Sequence, residues 1–89
     1  MNTSATEVTY PLAQNVRISE DELTVELSDG RTISVPIAWY PRLSHGTPRE
    51  RAKWQLNGGG IGIHWPDLDE DISVRGMLDR IPARRPAPR

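Results

Sequence analysis

Apolar and polar residues alternate on both sides of an Asp-Gly pair, and this pattern restricts the fold of the chain more than any other feature. The alternation covers residues 23–27, stops at Asp29-Gly30 and resumes over residues 33–37. A period of two residues is typical of a β-strand with one buried face. Because aspartate and glycine favour turns, the two runs predict an antiparallel hairpin.

The phase of the side chains selects the length of the hairpin loop. Directly opposed residues of an antiparallel pair share one face of the sheet. A two-residue loop would place Val25 opposite Ser34 and mix the two faces. A three-residue loop over 28–30 places Val25 opposite Ile33, so we expect this loop, with Gly30 in a left-handed conformation.

The same reasoning predicts the remaining elements of the first half. A turn over 19–22 precedes this hairpin and pairs Ile18 with Leu23, which adds a first strand. A short helical turn is expected over 38–43, stopped near Pro41. The residues Thr47, Pro48 and Glu50 fit a capping box, which predicts a helix to about residue 54 or 56, with Ala52 and Leu56 facing inward.

The second half of the chain predicts one strand and one helix. Glycines 58–60 are expected to end the preceding helix, and residues 61–65 alternate as a fourth strand. Ser73 is expected to be the N-cap of a last helix, whose apolar positions extend to Ile81. The resulting β-β-β-α-β-α order predicts an α+β fold, in which two short helices lie on one side of a mostly antiparallel sheet.

Length and composition indicate one small domain. The 89 residues predict a single domain over 1–81, followed by a disordered Pro/Arg-rich tail over 82–89. The chain has no cysteine and no signal-peptide pattern, so we expect a cytoplasmic protein that does not enter a membrane. Residues 1–81 hold eight basic and twelve acidic residues, a net charge of −4. Binding of nucleic acid is therefore unexpected, except weakly through the tail.

Two segments resemble ligand-binding motifs without completing them. Glycines 58–60 and 62 lack the Lys-Ser or Lys-Thr of a phosphate-binding loop, and no cofactor is expected. The acidic run 67–71 begins like a calcium loop, but Ile72 and Leu78 replace the required glycine and glutamate. We expect this run to lead into the last helix and to favour its N-terminus through the helix dipole.

Candidates for catalysis are few, so we expect no enzymatic activity. Ser44 and His45 are adjacent in the chain and have no evident carboxylate to orient them, which makes a poor nucleophile and base pair. The alternative is a metal-binding or metal-dependent hydrolytic site. Its ligands would be His64, Asp67, Asp69 and Asp71.

Aromatic and arginine residues elsewhere in the chain are more informative. Trp39, Tyr40 and Arg42 have the composition of protein-interface hot spots. We expect them to form a partner-binding face with the acidic run. Its residues would be Trp39, Tyr40, Arg42, His64, Asp67, Asp69 and Asp71.

The blocks LTVELSDGRTISVPIAWYPRL (23–43) and GIGIHWPDLDEDISVRGML (60–78) closely resemble a bacterial family known as domain-of-unknown-function family 2442. The resemblance implies a small α+β fold and assigns no activity. It also implies a protein partner, as relatives occur beside a second small protein or joined to DNA-binding domains. We therefore expect a protein-binding domain, and more specifically the antitoxin-like member of a toxin–antitoxin-type pair, with an accessory domain of a transcriptional regulator as an alternative. An exposed fourth strand would also allow a homodimer.

Overall fold

The computed structural model describes residues 10–79, which form an α+β fold with six strands. The elements in chain order are β1 (Ala13–Ile18), β2 (Glu22–Leu27), β3 (Thr32–Pro36), a 3-10 turn (Ile37–Trp39), α1 (Pro41–Ser44), α2 (Pro48–Ala52), β4 (Gln55–Asn57), β5 (Gly62–Trp65), β6 (Glu70–Ser73) and α3 (Val74–Leu78). The predicted tail and the predicted contribution of Ile81 lie outside the described residues.

The first sheet confirms the predicted hairpins. Its strands are antiparallel in the order β1-β2-β3. Val25 lies opposite Ile33, and Leu23 lies opposite Val35 on one side and Ile18 on the other. The loop between β2 and β3 contains the expected Gly30, which has a φ of +96°. Register was predictable here because a slip of one residue would expose the apolar side chains.

The prediction of a single sheet is wrong, because residues 55–73 form a second antiparallel sheet in the order β4-β5-β6. The helix that begins at Pro48 ends at Ala52, and both Ala52 and Leu56 are exposed instead of facing inward. Glycines 58–60 therefore connect two strands instead of ending a helix. All three have positive φ, a conformation that glycine adopts without steric cost.

The acidic run does not lead directly into a helix. Residues 66–69 form a turn in which Asp69 has a φ of +54°, and the chain then returns as β6. Aspartate tolerates this left-handed conformation better than most residues, so the run suits a hairpin turn. The helix start at Ser73 is confirmed, since its Oγ accepts a hydrogen bond of 2.9 Å from the Gly76 N–H.

The segment between the sheets carries the predicted capping box. The Thr47 Oγ1 accepts from the Glu50 N–H at 3.1 Å, and a Glu50 carboxylate oxygen accepts from the Thr47 N–H at 2.9 Å. Pro41 begins α1 instead of stopping a helical turn, because its fixed φ suits a first helical position.

Both sheets contribute to one apolar core. Leu23 and Val25 of the first sheet and Ile63 and Trp65 of the second are fully buried within it. The indole N–H of Trp65 donates to the backbone oxygen of Arg51 at 3.0 Å. Within residues 10–79, no helix has the length and apolarity required to cross a membrane.

Candidate functional site

The outer edge of β6 presents backbone groups that the second sheet does not use. The Val74 N–H donates to the Ile61 oxygen at 3.0 Å, which extends the β5–β6 ladder by one pair. Hydrogen-bonded and non-hydrogen-bonded residue pairs alternate along an antiparallel ladder. The next residue of β6 that forms backbone hydrogen bonds to β5 is therefore Ile72. The N–H groups of Asp71 and Ser73 and the Asp71 carbonyl therefore point away from β5. No other described residue hydrogen-bonds to them.

Arg42 lies at the beginning of this edge. Its Nη1 donates to the Asp69 backbone oxygen at 2.5 Å and lies 3.6 Å from the Asp69 carboxylate. The structure thus brings together Arg42 and Asp69, which the sequence assigned to one face. The guanidinium thus contacts both the backbone and the side chain of one residue in the turn before β6.

Tyr40 and Trp39 contact each other beside this edge. Tyr40 is buried and makes an edge-on contact with Trp39, with 6.4 Å between the ring centroids. Burial raises the pKa of the Tyr40 hydroxyl, and the neighbouring Glu70 carboxylate raises it further. Tyr40 lines a groove of about 330 Å³ along β6. The other residues that line this groove are Glu70, Asp71, Ile72, Ser73, Arg75 and Gly76.

Glu70 belongs to the acidic run, but it was not among the residues named for the partner-binding face. Its side chain is half-buried in the groove, and no described residue forms a hydrogen bond or ion pair with it. Burial raises the pKa of this carboxyl, and the charges of Asp71 and Asp69 raise it too, whereas Arg42 lowers it. One signal for its position was available in the sequence. Glu70 and Ile72 are two residues apart, so in a strand their side chains lie on the same face.

His64 and Asp71 belong to the opposite face of the second sheet. They are directly opposed across β5 and β6, and the His64 Nδ1 lies 2.8 Å from an Asp71 carboxylate oxygen. The Asn57 amide donates to the same oxygen at 3.4 Å. These two predicted site residues therefore meet each other, but their side chains lie on the other face of the sheet from Glu70.

The remaining predicted residue, Asp67, is separate from both groups. Its carboxylate lies 3.4 Å from the Lys53 Nζ. The four proposed metal ligands are therefore divided among three places: beside Lys53, beside Arg42 and in the His64–Asp71 pair. Within residues 10–79, no three histidine, aspartate or glutamate side chains are arranged to hold a metal ion.

The strand order also changes the expectation for self-association. Residues 61–65 were expected to form an exposed strand that could pair two chains. Instead β5 has β4 on one side and β6 on the other. The edges of the second sheet are β4 and β6, and of these two strands β6 lines the groove that contains Tyr40.

Two solved structures are similar to this chain. A crystal structure of a protein of unknown function from Rhodospirillum rubrum shares 25% sequence identity, with a TM-score of 0.75, and the match covers 86% of this chain and 95% of that chain. A solution NMR structure of an uncharacterized protein from Chromobacterium violaceum shares 19% identity, with a TM-score of 0.70, and the match covers 82% of this chain and 69% of that chain. The second likeness concerns the fold alone.

No match was found among curated proteins. Residues 13–83 match the family model described as "Protein of unknown function (DUF2442)". The match spans both sheets and all the described helices, and it confirms the resemblance seen in the sequence. The chain therefore belongs to the DUF2442 family of proteins of unknown function.

Proposed function

We propose that this chain is a cytoplasmic, non-enzymatic protein-binding domain that receives an extended segment of another small protein along the outer edge of β6. The observation that carries the proposal is the set of unused backbone groups at Asp71 and Ser73 beside the groove. An extended peptide added to such an edge gains main-chain hydrogen bonds, and the adjoining groove selects its side chains.

The surroundings of the edge support this mode of binding. Arg42 holds Asp69 in place at one end, and α3 begins directly after Ser73 at the other end. The edge is therefore a short template that lies between the turn and α3, and because it is already in a strand it needs little ordering on binding. A groove of about 330 Å³ is within the usual size of a binding pocket.

An antitoxin-like role in a two-protein pair, or an accessory role in a transcriptional regulator, would use the same edge. The similar proteins supply no support for either role, and the proposal requires neither. It requires only that the partner contain a segment able to pair as a strand.

The test is co-purification of the full chain with its partner from cells that produce both. Asp71→Pro removes the outward N–H, whereas Asp71→Ala keeps it and removes only the carboxylate. We expect Asp71→Pro to weaken binding more than Asp71→Ala, by a further factor of about 2 to 10, the value of one hydrogen bond. Ser34→Pro is the matched control, because Ser34 lies on β3, the outer strand of the other sheet.

Two further results decide the proposal. Each variant should keep the amide NMR spectrum of a folded chain, since proline is tolerated where a strand N–H points outward. Equal binding by Asp71→Pro and Asp71→Ala would contradict a role for the β6 edge. So would a loss of binding in Ser34→Pro alone.

A further inference from the structure

We infer that the β6 edge selects an extended segment with a basic side chain opposite Glu70. This inference rests on the proposed function and specifies the chemistry of the partner. The charges around the groove and the geometry of an added strand carry it.

The arginines near the groove already have acidic neighbours. The Asp69 carboxylate lies 3.6 Å from Arg42 Nη1, and the Asp79 carboxylate lies 3.5 Å from the Nε of Arg75. The Glu70 side chain, by contrast, has no hydrogen-bonding or ion-pair partner among residues 10–79. Among residues 10–79, Glu70 is therefore the acidic side chain of this groove that a ligand could pair.

The partly buried position of Glu70 disfavours its charged form. Its side chain is half-buried and lines the groove together with Tyr40. A carboxylate that loses water without gaining a partner is destabilised. Burial is the largest cause of the raised pKa of this carboxyl, and the Arg42 charge lowers the pKa only in part. A cation placed in the groove would offset this cost.

Strand geometry places a ligand side chain within reach of Glu70. A strand added beside β6 would have one residue directly opposite Glu70, on the same face of the sheet and with Cβ atoms about 5 Å apart. That face is the one toward Tyr40, because Glu70 and Tyr40 line one groove. Lysine or arginine at this position would reach the carboxylate while its aliphatic part lies on the Tyr40 ring.

The neighbouring charges favour the same choice. Glu70 lines the groove without a hydrogen-bond or ion-pair partner among residues 10–79, so an acidic side chain placed opposite it would be repelled. A neutral segment would form the backbone bonds but leave Glu70 unpaired. A basic extended segment is the one that satisfies both requirements.

The experiment uses three short, acetylated and amidated peptides of sequence TVTXTVT, where X is lysine, glutamine or glutamate. Each is titrated into the full chain at low salt and millimolar concentration, with amide NMR shifts as the readout. We expect the lysine peptide to shift the Asp71 and Ser73 amides with about threefold or more higher affinity than the glutamine peptide. The glutamate peptide should bind most weakly.

Variants identify the residue responsible. Glu70→Gln should remove the preference for lysine, whereas Glu22→Gln, on β2 of the other sheet, should retain it. If all three peptides shift the β6 amides equally, the inferred chemistry is wrong while the proposed edge remains supported. If the shifts occur at β3 or β4, or at no strand, the proposed function is wrong and the inference falls with it.

Discussion

The Gly60 carbonyl accepts a hydrogen bond of 2.8 Å from the Ala13 N–H, and this bond joins the β4–β5 connection of the second sheet to the first strand of the first sheet. Gly60 is buried and has a φ of +118°. A Cβ at this position would lie 2.5 Å from the Ala13 oxygen and 2.9 Å from the Leu12 Cβ. Because the closest atom belongs to a backbone, the contact leaves no room for a side chain.

Gly60→Ala should lower the free energy of unfolding by about 3 kcal/mol or more, since it adds a clash to an unfavourable φ. Urea denaturation of the purified chain measures the change. Gly59→Ala is the matched control, because Gly59 has a φ of +71° and a Cβ added there would meet nothing within 4 Å. We expect a loss of only about 1 kcal/mol there. Equal losses in the two variants would show that close approach to Ala13 is unimportant.

Arg51 stabilises the helical segment between the sheets. Its Nε donates to the Leu43 oxygen at 2.9 Å and its Nη2 donates to the Ser44 oxygen at 2.7 Å. Lysine cannot make both bonds in this geometry, so Arg51→Lys should cost about 1 to 2 kcal/mol in the free energy of unfolding. Arg49→Lys, at an exposed position of the same helix, should change it by less than about 0.5 kcal/mol. Thermal or urea unfolding of both variants tests the difference.

The first half of the fold was predictable from sequence because its signals are local and redundant. Alternation, the loop at Gly30 and the capping box at Thr47 each indicate one structure, and all were confirmed. Register followed from side-chain phase alone, since only one loop length keeps the apolar residues on one face.

The second sheet was missed because its signals are weak. β4 has three residues, all of them exposed, and β6 contributes a single buried side chain, Ile72. With so few apolar positions, periodicity cannot separate a strand from a helix end. The pairing of Arg42 with Asp69 was anticipated only as a shared surface. Glu70 was not singled out within the acidic run, because its environment depends on where β6 lies relative to Tyr40.

Glu70 should give the chain a measurable pH dependence. Its pKa is raised above the ordinary value of 4.5, so the protonated form is favoured in the folded state. This contribution to stability is fully present below pH 4.5 and is lost as the pH rises through the folded-state pKa. The unfolding free energy of the wild type relative to Glu70→Gln should therefore fall with rising pH across that window.

Asp29 should contribute to stability with the opposite pH dependence. The Arg31 N–H, as the largest cause, lowers the pKa of Asp29 below its ordinary value of 3.8. Its contribution is present above pH 3.8 and is lost as the pH falls through the folded-state pKa. The free energy of unfolding of the wild type, relative to that of Asp29→Asn, should thus increase with rising pH. The free energies of unfolding would be measured by urea titration at several pH values. If the difference between wild type and variant changed with pH in the same direction for Glu70→Gln and Asp29→Asn, the raised pKa of Glu70 would be contradicted.

Amide hydrogen exchange should reveal the unused edge of β6 in the free chain. The N–H groups of Ile72 and Val74 bond to β5 and to Ile61 respectively, whereas those of Asp71 and Ser73 point outward. We expect Asp71 and Ser73 to exchange about tenfold or more faster than their two neighbours, because a strand amide without a bond needs no opening event. Two-dimensional NMR after transfer to deuterated water measures the four rates. Equal protection at all four positions would mean that the edge is already covered. A dilution series would then show whether a second copy of the chain covers it, because protection that falls on dilution requires an intermolecular contact.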